Sequence, residues 1–305
     1  MTTGASLFDS AFLAKLEQLH LLAKRLVRGD RRAERRSRHI GSSLEFADYR
    51  EYTPGDEPRS IDWNAFSRLD RLFVKLYEQE QDLPVSFLID ASESMRWLPD
   101  GGVGKNAVLS KFDLARRLCA ALGYIALANL DSLNIHFFAA NLLAELGVAR
   151  GKGQFHSVLA FLDAAPDADG PTRLAQAVST LTQRVKRRGL VFVVSDFFDS
   201  AGYEEPLSAL RHAQFEVHAL QVIAPEELAP AVTGDLRLRE SENGDTLEVT
   251  ANDHVLRRYR EEIAAFNDAL QTFCLRRGAG FARVATDVPF EDAVLRLLRD
   301  GVMIR

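Results

Sequence analysis

Hydrophobic residues follow two alternating patterns along most of this chain. Short apolar runs predict buried strands at 85–90 and 190–196, and an alternating pattern predicts a half-buried strand at 72–79. Further strands are predicted at 133–140, 215–223 and 280–286. Apolar residues three and four positions apart predict helices at 7–27, 111–129, 155–164, 174–187, 204–213, 253–277 and 290–300. Because strands alternate with long helices, we expect an α/β fold with a mostly parallel sheet covered on both faces.

Two segments depart from this alternation. Residues 39–70 contain Gly, Ser and Pro among scattered aromatic side chains, which indicates a compact, loop-rich region with short strands. Residues 235–250 have the pattern of a hairpin around an Asn-Gly pair. We therefore expect two parts. Residues 1–71 hold an N-terminal helix, a basic segment and the loop-rich region, and residues 72–305 form the α/β domain with the inserted hairpin.

Composition and charge narrow the class of protein. The chain has 305 residues, of which 47% are hydrophobic and 27% charged, as is typical of globular proteins. Its net charge is −5, yet residues 24–38 contain eight basic and two acidic side chains. Such a segment could contact lipid head groups, nucleic acid or an acidic protein surface, although a solvated helix face explains it equally simply.

The cysteines and the apolar runs bear on the compartment. Cys119 and Cys274 are too few and too far apart for a disulfide framework or a four-cysteine zinc site. No run approaches the ~18 apolar residues of a membrane helix, and the N-terminus lacks the pattern of a secretory signal. We therefore expect a soluble, cytoplasmic protein.

Oxygen-bearing side chains follow several of the predicted strands. Asp90 ends the strand 85–90 and is followed by Ser92 and Ser94, and Asp196 ends the strand 190–196. Thr172 lies in the loop before the helix 174–187. Since ligands of parallel α/β sheets bind beyond the carboxyl ends of the strands, we expect these five side chains on one edge of the sheet.

The chemistry of this set favours a hard divalent cation, Mg²⁺ or Mn²⁺. Mg²⁺ takes about six oxygen ligands and keeps several waters. Two carboxylates and three neutral hydroxyls leave such an ion poorly neutralised, so it would attract a further acidic oxygen from a protein partner. This predicts an adhesive contact rather than a catalytic centre.

The D-x-S-x-S loop, the loop threonine and the strand-end aspartate together resemble the metal-ion-dependent adhesion site of von Willebrand factor type A domains. The resemblance implies a three-layer, Rossmann-like type A fold. It also implies a metal site, whose ligands would be Asp90, Ser92, Ser94, Thr172 and Asp196.

A second motif lies upstream of this site. Its residues are Glu45-Phe46, Arg50, Tyr52 to Asp56, Arg59 and Ile61 to Trp63. They resemble the signature of the domain-of-unknown-function family 58, in which the signature precedes a type A-like domain. That family is associated with MoxR-type AAA+ ATPases, which implies an adaptor with such an ATPase as its partner.

The signature also has a physical interpretation of its own. Pro54-Gly55-Asp56 predicts a turn. Charge-assisted hydrogen bonds among Arg50, Arg59, Asp56 and Asp62 would lock the loops, and Trp63 would be anchored in a core.

Two other functions stay open. Asp90 and Asp196 could serve a metal-dependent hydrolase or phosphatase, although Ser92 stands where a phosphoryl-transfer enzyme of the haloacid dehalogenase type usually has a second Asp. Residues 24–38 could bind nucleic acid, which we do not expect, or touch a membrane surface peripherally. We expect a non-enzymatic interaction module.

Overall fold

The structure is a computed structural model that describes residues 7–30, 45–78, 82–98, 109–167, 171–239 and 245–299. Its strands are β1 (Glu45–Glu51), β2 (Phe73–Glu78), β3 (Pro84–Asp90), β4 (Ser132–Phe138), β5 (Leu142–Arg150), β6 (Leu190–Ser195), β7 (Glu216–Ile223), β8 (Gly234–Arg239), β9 (Thr246–Ala251) and β10 (Gly280–Ala285). Its helices are α1 (Ser10–Asp30), α2 (Trp63–Leu69), α3 (Glu93–Arg96), α4 (Lys111–Ala128), α5 (Phe155–Asp163), α6 (Leu174–Arg184), α7 (Glu204–His212), α8 (Pro225–Leu228), α9 (Asp253–Arg276) and α10 (Phe290–Arg299).

The chain divides into two compact units. The larger is drawn from residues 1–29 and 83–305, and the smaller from residues 30–82. This division differs from the boundary after residue 71 that the sequence suggested. The strand β2 pairs with β1 in the smaller unit, and α1 contributes to the core of the larger one. The hydrophobic pattern shows that β2 is a strand but carries no information about its pairing partner.

A six-stranded sheet forms the middle layer of the larger unit, in the order β10-β7-β6-β3-β4-β5. All neighbouring pairs are parallel except β4 and β5, which are antiparallel. Helices α1, α4, α5 and α10 contribute apolar side chains to one face, and α6, α7 and α9 to the other. The predicted fold class, a three-layer Rossmann-like α/β sandwich with a mostly parallel sheet, is confirmed.

The central strands are apolar because both of their faces are covered. Every residue of β6 and every residue of β3 after Pro84 is buried, so these strands show continuous apolar runs rather than alternation. The edge strand β5 is partly exposed and interrupted by Glu145 and Gly147. This mixed pattern explains why the sequence did not predict it.

The N-terminal helix packs on the larger unit through its apolar stripe. Phe12, Leu16 and Leu19 are buried in the same core as α4 and α10. The ring of Phe12 lies 4.8 Å from that of Phe290 at the start of α10. The predicted amphipathic helix is confirmed, and its stripe is covered by the three-layer unit.

The predicted hairpin is confirmed in its two strands, because β8 and β9 pair antiparallel. Its Asn-Gly turn lies outside the described residues, as do residues 31–38 and the side chains of residues 24–30 in the basic segment. Cys119 and Cys274 are buried and free. None of the helices in the described ranges has the length and apolar character needed to cross a bilayer.

In the smaller unit, the signature residues form a polar turn. The carboxylate of Asp56 accepts hydrogen bonds from the Thr53 backbone N–H at 2.8 Å and from the Arg50 guanidinium at 2.7 Å. These bonds, led by the backbone one, lower the pKa of Asp56 to about 2. Gly55 adopts a φ of 112°, which favours glycine.

The smaller unit also corrects the role expected of Trp63. Asp62 caps α2 by accepting from the backbone N–H groups of Asn64 and Ala65. The cap places Trp63 at the first position of the helix, where its side chain is 62% exposed. The prediction of a core anchor is wrong, because the cap rather than the indole ring fixes the start of α2.

A close backbone approach before β6 gives a test of the packing. A Cβ on Gly189 would lie 2.2 Å from the backbone oxygen of Pro84, so Gly189→Ala must displace one of two central strands. We expect a loss of about 1–3 kcal/mol in the free energy of unfolding. The measurement is chemical denaturation. The matched control is Gly147→Ala in β5, where a Cβ meets nothing within 4 Å. Equal stabilities of the two variants would contradict the packing described.

Candidate functional site

The register of the sheet brings two carboxylates to the same edge. Strands β3 and β6 are parallel neighbours, with Ile89 paired to Val194. Asp90 is the last residue of β3, and Asp196 directly follows β6. Both are almost fully buried, at 0% and 1% exposure. The sheet therefore places two acidic groups side by side, both shielded from solvent.

Hydrogen bonds from the neighbouring loops hold Asp90. Its Oδ2 accepts from the Ser195 hydroxyl at 2.6 Å, and its Oδ1 accepts from the Ser92 backbone N–H at 3.0 Å.

The backbone turns sharply after Asp196, where Phe197 has a φ of 64°. This left-handed conformation is uncommon for a bulky residue. It lets the Phe198 N–H donate to Asp196 Oδ1 at 3.1 Å.

The two serines of the D-x-S-x-S loop turn towards Asp196. Ser92 occupies the cap position of α3, but its hydroxyl makes no capping hydrogen bond. Its oxygen instead lies 3.0 Å from that of Ser94. The Ser94 hydroxyl donates to Asp196 Oδ2 at 3.2 Å. The Ser92 hydroxyl therefore contacts Ser94 instead of capping α3.

The loop of Thr172 lies along the same edge. The backbone N–H of Arg173 donates to the Ala139 carbonyl just beyond β4, at 3.0 Å. The N–H of Leu174 donates to the Asp199 carboxylate after β6, at 2.8 Å. Thr172 itself is buried, at 5% exposure. All five predicted residues thus follow strands or loops at the carboxyl edge of the sheet.

Two further charged residues, which the sequence analysis did not identify, complete the cluster. The ammonium of Lys111, the first residue of α4, donates to Asp196 Oδ2 at 2.7 Å and also to Glu227 Oε1. Glu227 lies in α8, directly after β7. The Lys111 side chain is 1% exposed, so its charge is buried with those of its partners.

The sequence positions of Lys111 and Glu227 give only part of the information needed to predict them as site residues. Glu227 follows a buried strand, as Asp90 and Asp196 do, so the rule that ligands gather at strand ends applies to it as well. Lys111 begins a helix, where a cation is unfavourable because of the helix dipole. A lysine at that position is unusual, but its partners are 85 and 116 residues away in the chain.

Burial and charge shift the ionisation of the cluster. Burial and the nearby charge of Asp196 raise the pKa of Asp90 to about 7. For Lys111, burial alone would lower the pKa, but the carboxylates of Asp196 and Glu227 raise it above its ordinary value. The site thus combines a carboxyl group that resists ionisation with a firmly charged ammonium.

The oxygen geometry is compatible with a small divalent cation. An octahedral ion with ligands at about 2.0–2.1 Å keeps adjacent ligand oxygens about 2.9 Å apart. The Ser94 hydroxyl oxygen lies 3.0 Å from that of Ser92 and 3.2 Å from Asp196 Oδ2. Among the described residues, no three His, Cys, Asp or Glu side chains group as metal ligands. An ion here would therefore depend on hydroxyl oxygens as well as on carboxylates.

The raised pKa of Asp90 gives a pH-dependent prediction in the presence of a chelator. Its ordinary pKa of 3.8 rises to about 7 on folding, so the folded chain holds the proton more tightly. The stability from this difference is present below about pH 4 and is lost as the pH rises through about 7. Asp90→Asn removes the titration. We expect its unfolding temperature, relative to that of the wild type, to be several degrees higher at pH 8 than at pH 4.

Thermal unfolding at both pH values checks this expectation. The control is Ser86→Ala in β3, which removes no ionisable group and should show the same difference from the wild type at both pH values. A difference between Asp90→Asn and the wild type that does not change with pH would contradict the ionisation described.

Comparisons with known proteins place the chain in a family. Its residues 48–269 match the family described as "Protein of unknown function DUF58". Uncharacterized proteins of Mycobacterium bovis and Mycobacterium tuberculosis are each 26% identical over 238 residues, covering 77% of this chain and 73% of theirs. An uncharacterized protein of Mycobacterium avium is 27% identical over 126 residues, covering 41% of this chain and 74% of its own.

Solved structures give weaker similarities. The conserved hypothetical protein BatB of Bacteroides thetaiotaomicron has a TM-score of 0.45 at 15% identity, covering 73% of this chain and 98% of that one. An aerotolerance-related membrane protein of Bacteroides fragilis has a TM-score of 0.44 at 15% identity, covering 72% and 98%. The sequence match is the informative one, because it spans most of both the smaller unit and the α/β unit. The chain belongs to the DUF58 family, whose function is unknown.

Proposed function

We propose that this protein is a non-enzymatic, metal-dependent interaction module that binds Mg²⁺ or Mn²⁺ at the carboxyl edge of its sheet. The ligands would be Asp90, Ser92, Ser94, Thr172 and Asp196. The observation that carries the proposal is the convergence of the Ser92, Ser94 and Asp196 oxygens, in which Ser94 lies 3.0 Å from Ser92 and 3.2 Å from Asp196. Since Ser94 and Asp196 lie 102 positions apart in the chain, their convergence is a property of the fold.

The composition of the cluster suggests what a bound ion would do. When bound, the ion would act as a Lewis acid that can coordinate a further carboxylate oxygen. Asp90 and Asp196 are the only acidic residues among the five proposed ligands, and the Lys111 ammonium lies beside Asp196, so the chain's own residues would neutralise a divalent ion incompletely. An Asp or Glu side chain of a protein partner could complete the coordination, and this favours binding over catalysis.

The finer parts of the proposal concern the fold type and the partner. We propose that the larger unit is a von Willebrand factor type A-like domain, a proposal supported by its D-x-S-x-S loop, loop threonine and strand-end aspartate in that order. We propose a MoxR-type AAA+ ATPase as the partner. The support for this is the family association implied by the signature at residues 45–63.

Metal-dependent stabilisation tests the site. Ligand at 100 times its dissociation constant stabilises a protein by about 2.7 kcal/mol. For a domain of this size, that corresponds to an increase of roughly 5–10 °C in the unfolding temperature. We expect Mg²⁺ or Mn²⁺ to produce such a shift in the wild type and not in Asp90→Ala or in Ser92→Ala/Ser94→Ala.

The matched control is Ser86→Ala, which alters a buried serine of β3, the strand that ends in Asp90, away from the carboxyl edge. It should keep the shift. The proposal would be wrong if the metals left the wild type unchanged, or if the serine double variant responded like Ser86→Ala.

A capture experiment tests the binding role. Immobilised wild-type protein should retain a purified MoxR-type ATPase in Mg²⁺ and release it in chelator, and Asp90→Ala should retain none. Retention that is unaffected by chelator would remove the metal-mediated contact. Hydrolysis of phosphoesters by the wild type but not by Asp90→Ala would instead support the enzymatic alternative.

A further inference from the structure

Lys111 already places a positive charge at the proposed metal site. Its ammonium lies 2.7 Å from Asp196 Oδ2, the same oxygen that accepts from Ser94. Its side chain is 1% exposed and lies 5.8 Å from the ring centre of Phe198. This ion pair is therefore buried at the carboxyl edge of the sheet, unlike the exposed pair of Arg184 with Glu145.

We propose that the Lys111 ammonium is a tethered cation that competes with divalent metal for Asp196. It would thereby set the metal concentration at which the site loads. This inference rests on the proposed function, since it concerns the regulation of the same site. It requires that Lys111 leave Asp196 for the metal to bind.

Shared use of one oxygen is the first argument for competition. An ion that coordinates Ser94 and Asp196 Oδ2 would sit within a few ångströms of the bound ammonium. Two cations at such a distance in a buried site repel each other strongly, because little solvent screens them. Binding of either cation to Asp196 therefore weakens the binding of the other.

Glu227 provides the second argument, because it gives the ammonium a place to stay. Its Oε1 accepts from Lys111, while its Oε2 accepts from the Ala224 N–H at 2.8 Å. The Tyr259 hydroxyl donates to the backbone oxygen of Glu227 at 2.9 Å. These contacts fix Glu227, so Lys111 can release Asp196 and remain paired. The long, flexible lysine side chain suits such a change of partner.

The position of Lys111 provides a third argument. It begins the long helix α4, where the helix dipole opposes a positive charge. The two carboxylates of Asp196 and Glu227 therefore hold the ammonium in place against its local environment. A divalent ion bound to Asp196 would remove one of these two attractions.

The test measures Mn²⁺ affinity by calorimetry, with the metal alone and no partner. The full-length proteins are the wild type, Lys111→Met, and Lys111→Met/Glu227→Gln. Competition predicts that Lys111→Met binds Mn²⁺ at least about tenfold more tightly than the wild type. The double variant keeps the net charge and removes both members of the pair, so it should still bind at least about threefold more tightly.

Several results would overturn the inference. Equal affinity of Lys111→Met and the wild type would refute competition while leaving the proposed function standing. Wild-type Mn²⁺ affinity in the double variant would mean that the tighter binding of Lys111→Met comes only from its changed net charge. That result would also refute competition. Mn²⁺ binding by none of the proteins would refute the metal site and the inference together.

Two measurements guard the comparison. Arg184→Gln removes a positive charge from an exposed pair with Glu145, and its Mn²⁺ affinity should equal that of the wild type. Thermal unfolding in chelator establishes that each variant is folded. If Lys111→Met is unfolded, the double variant decides the question, because it leaves Glu227 uncharged rather than unpaired.

Discussion

The burial of two carboxylates at the ends of neighbouring parallel strands is the constraint on which the site depends. Asp90 and Asp196 lie at the edge of a sheet that is apolar on both faces, and burial together with the charge of Asp196 makes ionisation of Asp90 more costly. Several donors at the edge offset that cost. The Ser195 and Ser94 hydroxyls and the backbone N–H groups of Ser92 and Phe198 donate to the two carboxylates, and Lys111 supplies a full positive charge.

This arrangement has a consequence for binding. We expect this edge to fold without metal, because the Lys111 ammonium already compensates the Asp196 carboxylate. The proposed module would then have a metal-free state, in which Lys111 holds Asp196, and a loaded state that offers a coordination position to a partner. Both states would use the same oxygens, and the lysine and the metal would exchange a single carboxylate.

Much of the fold could be predicted from the sequence because buried parallel strands are continuous apolar runs. The runs that became β3, β6 and β7 are of this kind, and their register follows once they are adjacent. The edge strand β5 was missed because its exposed positions break the pattern. The pairing of β2 with β1 was also missed, since periodicity specifies an element and leaves its partner open.

The candidate site was predictable for a related reason. Asp90 and Asp196 end recognisable strands, and parallel strands end at one edge, so their proximity follows from local patterns. Lys111 and Glu227 needed tertiary information, because one begins a helix and the other lies in a short helix after β7. Trp63 shows the opposite error, since an aromatic residue in a motif suggested burial while the Asp62 cap leaves it exposed.

A crystal structure of the protein grown with Mn²⁺ would test the proposed metal site, because anomalous scattering locates the metal independently of its ligands. We expect one manganese ion within coordination distance of the Ser92 and Ser94 hydroxyls and of Asp196, with Lys111 paired to Glu227 alone. Crystals grown in excess Mn²⁺ that hold no manganese at this edge, with Lys111 still bound to Asp196, would contradict the proposed site.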